Sequence, residues 1–136
     1  MKRQELLKIL NLTSFTAFDF ETTGLDPLND RIIEVAAIRF ENGVITDRYV
    51  QLINPEKKIS KLITRLTGIT NSMVRSKLTE EMIIDDLLNF LGDVPLVAHN
   101  IKFDQQFLSH LCSRLGRETP NIIKYDTLQL ARSLFF

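Results

Sequence analysis

The sequence has a single cysteine, Cys112, among 136 residues, which excludes an internal disulfide. That cysteine falls on an apolar helical stripe and reads as core filler, not as a nucleophile. Net charge is also missing, because seventeen basic residues balance seventeen acidic ones. A broad, sequence-independent grip on duplex nucleic acid needs many Lys/Arg–phosphate contacts, so this balance argues against one. It leaves open a site that holds two or three nucleotides with help from metal ions. No apolar run approaches the roughly 18 residues of a membrane span. The opening residues, Met1 to Lys8, lack the apolar region of a signal peptide. The expectation is a cytoplasmic protein with no membrane association. There is no Cys/His cluster at zinc spacing, no Gly-rich phosphate loop closed by Gly-Lys, and no serine in a nucleophile elbow. Repeats, low-complexity tracts and interior linkers are absent as well.

What is present is ordinary for a globular domain: 44% apolar and 25% charged residues. The whole chain, residues 1–136, is expected to form one domain with a real core. Residues 2–11 suggest a short helix with Leu6, Leu7 and Leu10 on one side. Residues 15–20 read as a strand, and residues 32–40 as a second. Asn42-Gly43 is a hairpin signal that pairs residues 44–53 back as a third strand. A short helix over residues 61–66 should stop at Gly68, and another should begin at Thr70. Thr79 is placed to cap a long helix with Glu80 and Glu81 in its first turn and Ile83, Ile84, Leu87, Leu88 and Leu91 at the 3.6-residue period. Residues 95–98 form a short buried strand. Asn100 can cap a helix over residues 101–115, residues 122–125 make another short strand, and Asp126 or Thr127 caps a last helix. Three antiparallel strands followed by alternating helices and short strands describe an α/β mixed sheet with helices on its faces.

Two stretches carry the chemistry. In Asp19-Phe20-Glu21-Thr22-Thr23-Gly24, two acids stand at i and i+2 of a strand and therefore face one way. Phe18 and Phe20 pack the other face, while Phe15 and Ala17 share the face of Asp19. Adjacent carboxylates repel unless a cation intervenes. In His99-Asn100-Ile101-Lys102-Phe103-Asp104, Asp104 heads a helical stripe completed by Leu108, Leu111 and Leu115. An acid on a buried stripe is costly without partners, although an acid in a first helical turn is also favoured by the dipole. If Asp104 points at the strand end holding Asp19 and Glu21, the three form an oxygen-only ligand set suited to Mg²⁺ or Mn²⁺ rather than zinc. Such a set supports metal-assisted hydrolysis, in which two ions roughly 4 Å apart activate a water and stabilise a departing oxygen.

Both stretches resemble the first and second motifs of the DEDD 3′–5′ exonucleases, in the DnaQ-like branch typified by the proofreading epsilon subunit of DNA polymerase III. Leu66-Thr67-Gly68-Ile69-Thr70 and Tyr125-Asp126-Thr127-Leu128 are similar to the family's intervening segments, with Thr67 where a histidine is common. The resemblance implies a ribonuclease H-like fold and a 3′–5′ exonuclease acting on single-stranded DNA ends in proofreading or repair, with a DNA polymerase subunit as a partner. An RNA 3′-end exonuclease of the same superfamily and a catalytically incomplete binding module are the rival readings. By position, Asp19, Glu21 and Asp104 would be catalytic metal ligands. Thr22, Thr23, Gly24 and Leu25 would seat the terminal nucleotide, with Leu25 wedged against its base and Asn100 and Phe103 beside the pocket. Local readings compete: a turn for residues 22–24, core for Leu25, capping for Asn100 and Asp126, packing for Phe103, structural support for His99. The family's third motif, a histidine and an aspartate on a later helix, has no counterpart here, since His110 is mid-helix. The two-ion site is therefore incomplete in this chain, which should be weak or inactive alone. Leu128, Leu130, Leu134, Phe135 and Phe136 make an apolar end without a polar cap, which suggests a chain cut inside a larger domain. Self-association through the C-terminal half is then expected.

Overall fold

The computed structural model describes residues 13–127. Strands β1 (Ser14–Thr22), β2 (Ile32–Glu41) and β3 (Val44–Leu52) form an antiparallel meander. The β2–β3 turn uses Asn42 and Gly43 at φ 52° and 81°, the positive angles a two-residue hairpin needs. Strands β4 (Leu96–Ala98) and β5 (Lys124–Asp126) add in parallel, giving one sheet in the order β3-β2-β1-β4-β5. Helices α1 (Lys61–Thr67), α2 (Asn71–Val74) and α3 (Glu80–Leu91) lie between β3 and β4, and α4 (Ile101–Arg114) between β4 and β5. This is the expected α/β mixed sheet.

Side-chain alternation sends Phe18 and Phe20 of β1 and Val35 and Ala37 of β2 to one face. There they meet Ile83, Ile84, Leu87 and Leu91 of α3 and Phe107, Leu108, Leu111 and Cys112 of α4 in a single buried cluster. Each fully buried aliphatic or aromatic side chain contributes about 1.5–3 kcal/mol. Cys112 is a core residue, as its position on the stripe implies. A second cluster of Ile33, Ile59, Ile69 and Val74 seats α1 and α2 against the start of β2. The α1 helix is closed at both ends: Ser60 Oγ accepts the Ile63 N–H, and Gly68 turns left-handed at φ 77°.

Several expectations needed correction, among them β4, which begins at Leu96 and not at residue 95. Thr79 occupies the N-cap of α3 without a side-chain cap hydrogen bond. Its neighbour Glu80 lies in the first turn as expected and also turns inward, where it accepts the Ile32 N–H at 2.9 Å. Asn100 likewise stands at the N-cap of α4 with no side-chain cap bond, in the left-handed region at φ 58°. Strand β5 begins at Lys124, not at residue 122, and its partner sets that limit. The three residues of β4 pair with Lys124, Tyr125 and Asp126, leaving Ile123 exposed. The expected helices over residues 2–11 and after Thr127, and the apolar end invoked for self-association, lie outside the described residues.

Candidate functional site

The site forms where β1 outruns its neighbour. Strand β4 pairs with β1 only at Thr16 and Ala17 and stops at Ala98. The N-terminal turn of α4 fills the space beyond. Asp104 sits in that turn, 2% exposed, and its Oδ1 accepts the Phe20 backbone N–H at 3.1 Å. A carboxylate thus supplies the hydrogen bond that a longer β4 would have made. On the opposite face of β1 from Phe18 and Phe20 are Asp19 and Glu21, the latter paired in register with Glu34 of β2.

The electrostatics of the three acids run one way. Burial pushes the Asp104 carboxyl up to about 7, and the negative charges of Asp19 and Glu21 add to the shift while the Phe20 N–H opposes it. Asp19 is raised by the packing around it, partly offset by His99. Glu21 is raised by partial burial, then by Asp19 and Glu34. Among the described residues, no Lys or Arg side chain forms an ion pair with any of the three. The sheet and α4 therefore bring together the three acids named from the sequence and leave them mutually repelling. All their donor atoms are carboxylate oxygens, a set that fits a hard divalent cation. They are not drawn into a closed shell: no group of three or more His, Cys, Asp or Glu side chains among the described residues is arranged to hold a metal ion. Asp19 also borders a cleft of about 240 Å³ whose floor is apolar, with Ala17, Ala36, Ile38 and Val97, and whose wall includes His99.

The neighbouring loop is locked from within. Thr22 Oγ1 donates to the Gly24 carbonyl at 2.6 Å, and Thr23 Oγ1 donates to Asp30 Oδ1 at 2.9 Å while accepting the Arg31 N–H at 3.0 Å. Both hydroxyls serve the turn, and the Thr23 N–H also donates to the Arg31 carbonyl at 2.8 Å. A Cβ on Gly24 would collide with the Asp30 carboxylate. That carboxylate has no room to retreat, since Asp26 N–H, Thr23 and Lys57 all bond to it. Leu25 is 84% exposed, which rules out the core reading. Phe103 is half-buried and packs on Phe107 with ring centroids 4.9 Å apart. His99 Nδ1 lies 3.2 Å from Thr127 Oγ1.

Several residues that build the site had been read differently or not at all. Asp126 ends β5, and its Oδ1 accepts the Asn100 N–H at 2.9 Å; the helix it was expected to cap lies outside the described residues. This bond holds the left-handed Asn100 backbone at the head of α4. Glu80, 8% exposed, joins Ile32 N–H to the Arg114 guanidinium, whose Nη2 is 2.7 Å from Glu80 Oε2. Arg114 Nη1 reaches the Pro27 carbonyl at 3.4 Å. Three elements are so clamped around the loop. Asp126 and Glu80 both gave a signal in the sequence, the first as a cap and the second as an acid in a first helical turn, while Arg114 gave none.

A family model described as "Exonuclease" matches residues 16–135. The chain is 44% identical over 124 residues to a DNA polymerase III PolC-type protein of Thermotoga maritima, covering 89% of this chain and 9% of that protein. It is 39% identical over 127 residues to the 3′-5′ exonuclease DinG of Bacillus subtilis, covering 93% of this chain and 14% of that one. The fold is similar to that of E. coli ExoI in a metal-free complex with single-stranded DNA, at a TM-score of 0.81 and 22% identity over 90% of this chain and 30% of that chain. The chain thus spans about a tenth of the length of the curated relatives it matches.

Proposed function

The chain belongs to this exonuclease family, and from that premise we propose that it is a divalent-metal-dependent 3′–5′ exonuclease module acting on single-stranded DNA ends and releasing nucleoside monophosphates. The observation that carries the reading is the trio of Asp19, Glu21 and Asp104. The fold raises the proton affinity of all three, and among the described residues no Lys or Arg forms an ion pair with any of them. Carboxylates held so are primed for a cation, which would supply activation of water and stabilisation of the leaving oxygen. Asp19 and Glu21 would hold it from the strand face, and Asp104 from the first turn of α4. Mg²⁺ and Mn²⁺ both suit the oxygen set.

The chain's own residues do the rest. Leu25 wedges against the terminal base. Backbone groups of Thr22, Thr23 and Gly24, with the Asn100 side chain, seat the terminal nucleotide. Phe103 supports that pocket by packing under it. Residues 1–136 act as one exonuclease domain, in the cytoplasm and in association with a DNA polymerase subunit. The experiment is to incubate a 5′-labelled single-stranded oligonucleotide with the chain and Mg²⁺ or Mn²⁺. Stepwise shortening from the 3′ end is expected. It should be weak, because loss of a general base alone costs about 10²–10⁴-fold. Asp19→Ala should abolish it, and shortening that survives this substitution would overturn the assignment. Faster shortening of an RNA of the same length would favour an RNA 3′-end exonuclease.

A further inference from the structure

The absence of net charge conceals a strict segregation. Residues 57–77 hold six cations, Lys57, Lys58, Lys61, Arg65, Arg75 and Lys77, and no acid; residues 78–93 hold five acids and no base. Of the six cations only Lys57 has an acidic partner among the described residues, Asp30 at 3.3 Å. Cations left exposed and unpaired on one segment of an otherwise balanced chain form a local anion-attracting field.

Their placement gives that field a shape. Three adjoining depressions form one furrow. The first, of about 440 Å³, starts at Asn29 and Arg31 of the loop that follows β1 and reaches Lys57. The second, of about 360 Å³, shares Lys57 and Asn54 with the first and carries the furrow to Lys58 and Arg75. The third, of about 840 Å³, shares Lys58 and Arg75 with the second and opens between α1 and α2, where Lys61, Ser60, Thr64 and Ser72 line it. Glu56 and Glu80 are the acids on its walls, and Glu80 is already neutralised by Arg114.

The furrow is rigid. Asn71 clips the backbone of Ile59 through both of its amide atoms, at 2.8 and 3.1 Å. Asn54 Nδ2 donates to the Arg75 carbonyl at 3.2 Å. Lys57 Nζ donates to the Asn29 carbonyl at 3.1 Å, tying the furrow to the loop that carries Leu25. Flexible ammonium and guanidinium groups on a fixed frame, interleaved with hydroxyls that can donate, suit a chain of phosphodiesters.

We propose that this furrow is a second nucleic-acid site, in which Lys58, Lys61 and Arg75 bind backbone phosphates of a single strand 5′ to the nucleotide seated at Leu25. The proposal rests on the exonuclease reading for the direction of the strand, and on the charge pattern and the furrow for the site itself. It explains how a neutral chain holds a polyanion: the grip is local, and none of the three acids lines it.

The test is fluorescence anisotropy of labelled oligothymidylate with the chain in a chelating buffer, from 50 to 200 mM salt. Lys58→Gln, Lys61→Gln and Arg75→Gln together should weaken binding about tenfold or more and flatten the log–log salt dependence by about 2, since each lost single-strand phosphate contact removes about 0.7. Arg48→Gln, on the exposed far strand β3, should change neither, and unfolding midpoints confirm that the folds are equal. Affinity and salt slope unchanged in the triple variant would overturn the site, as would poly-glutamate displacing the oligonucleotide as well as unlabelled DNA does. Failure of the wild-type chain to bind any strand sinks both this site and the exonuclease reading. Furrow-dependent binding with no 3′ shortening under any divalent metal sinks the exonuclease reading alone.

Discussion

Two groups of acids lie within one loop of each other, and the fold treats them oppositely. Asp19, Glu21 and Asp104 are all raised, chiefly by burial, and among the described residues no Lys or Arg pairs with them. Asp30, a few residues away, is partly buried, which pushes its carboxyl up. Asp26 N–H, Thr23 and Lys57 more than reverse this, and it ends below the usual range. Asp26 is lowered as well, by the Asn29 side chain and the Leu28 N–H. Glu80 is buried, but on Arg114 and a backbone N–H. The same functional group is thus a structural brace where partners are supplied and, on the proposed function, a metal ligand where they are withheld. The loop braced by Asp30 and Glu80 is what carries Leu25 and adjoins the trio.

Removing a brace should do the most damage to stability. Glu80→Ala strands the Arg114 charge and the Ile32 N–H, and should cost about 3 kcal/mol in urea unfolding. Glu80→Gln keeps an acceptor for Ile32 and should cost about half that. An unchanged midpoint in Glu80→Ala would erase the distinction between brace and ligand. Substitution in the trio should act with the other sign. The proton on Asp104 is held more tightly in the fold than in the unfolded chain, whose carboxyl titrates near 3.8. Its contribution to stability is therefore complete below about pH 4 and is lost as pH rises to about 7. In a chelating buffer the wild-type chain should weaken across that window. Asp104→Asn, which still accepts the Phe20 N–H, should flatten the profile and be the more stable form at pH 8 by about 1 kcal/mol or more. A wild-type profile flat from pH 4 to 7 would show that Asp104 is no costlier than the braces. Smallest of all is the expected effect of Leu25→Ala on stability, within about 0.5 kcal/mol, because the side chain is exposed. Its effect should appear as weaker binding of a terminal nucleotide, and a shift of the unfolding midpoint by several times that amount would return Leu25 to the core.

Much of this was legible from local pattern. The hairpin followed from Asn42-Gly43, the helix stops from Gly68 and Gly92, and the meander from three β-rich runs. Asp19 and Glu21 could be placed on one face because strand alternation is a property of the chain alone. Asp104 could be assigned to a buried stripe because 3.6-residue periodicity is too. What local pattern could not supply was a partner at long range. Asn100 looked like a cap because Asn caps helices; Asp126, from the next strand, holds its backbone instead. Thr79 looked like a cap for the same reason, and Glu80 was drawn inward by Ile32 and Arg114, from two other elements.

Alternation and periodicity, then, determined which acids exist, which faces they occupy and what class of ligand they suit. Tertiary structure alone decided that β4 ends early enough for Asp104 to bond Phe20. It also decided that Arg114 and Lys57 go to the braces and not to the trio, and that the cations of residues 57–77 line one furrow. The reason is that a hydrogen bond or a charge–charge term depends on distance in space. Asp104 and Phe20 are 84 positions apart in the chain and 3.1 Å apart in the fold.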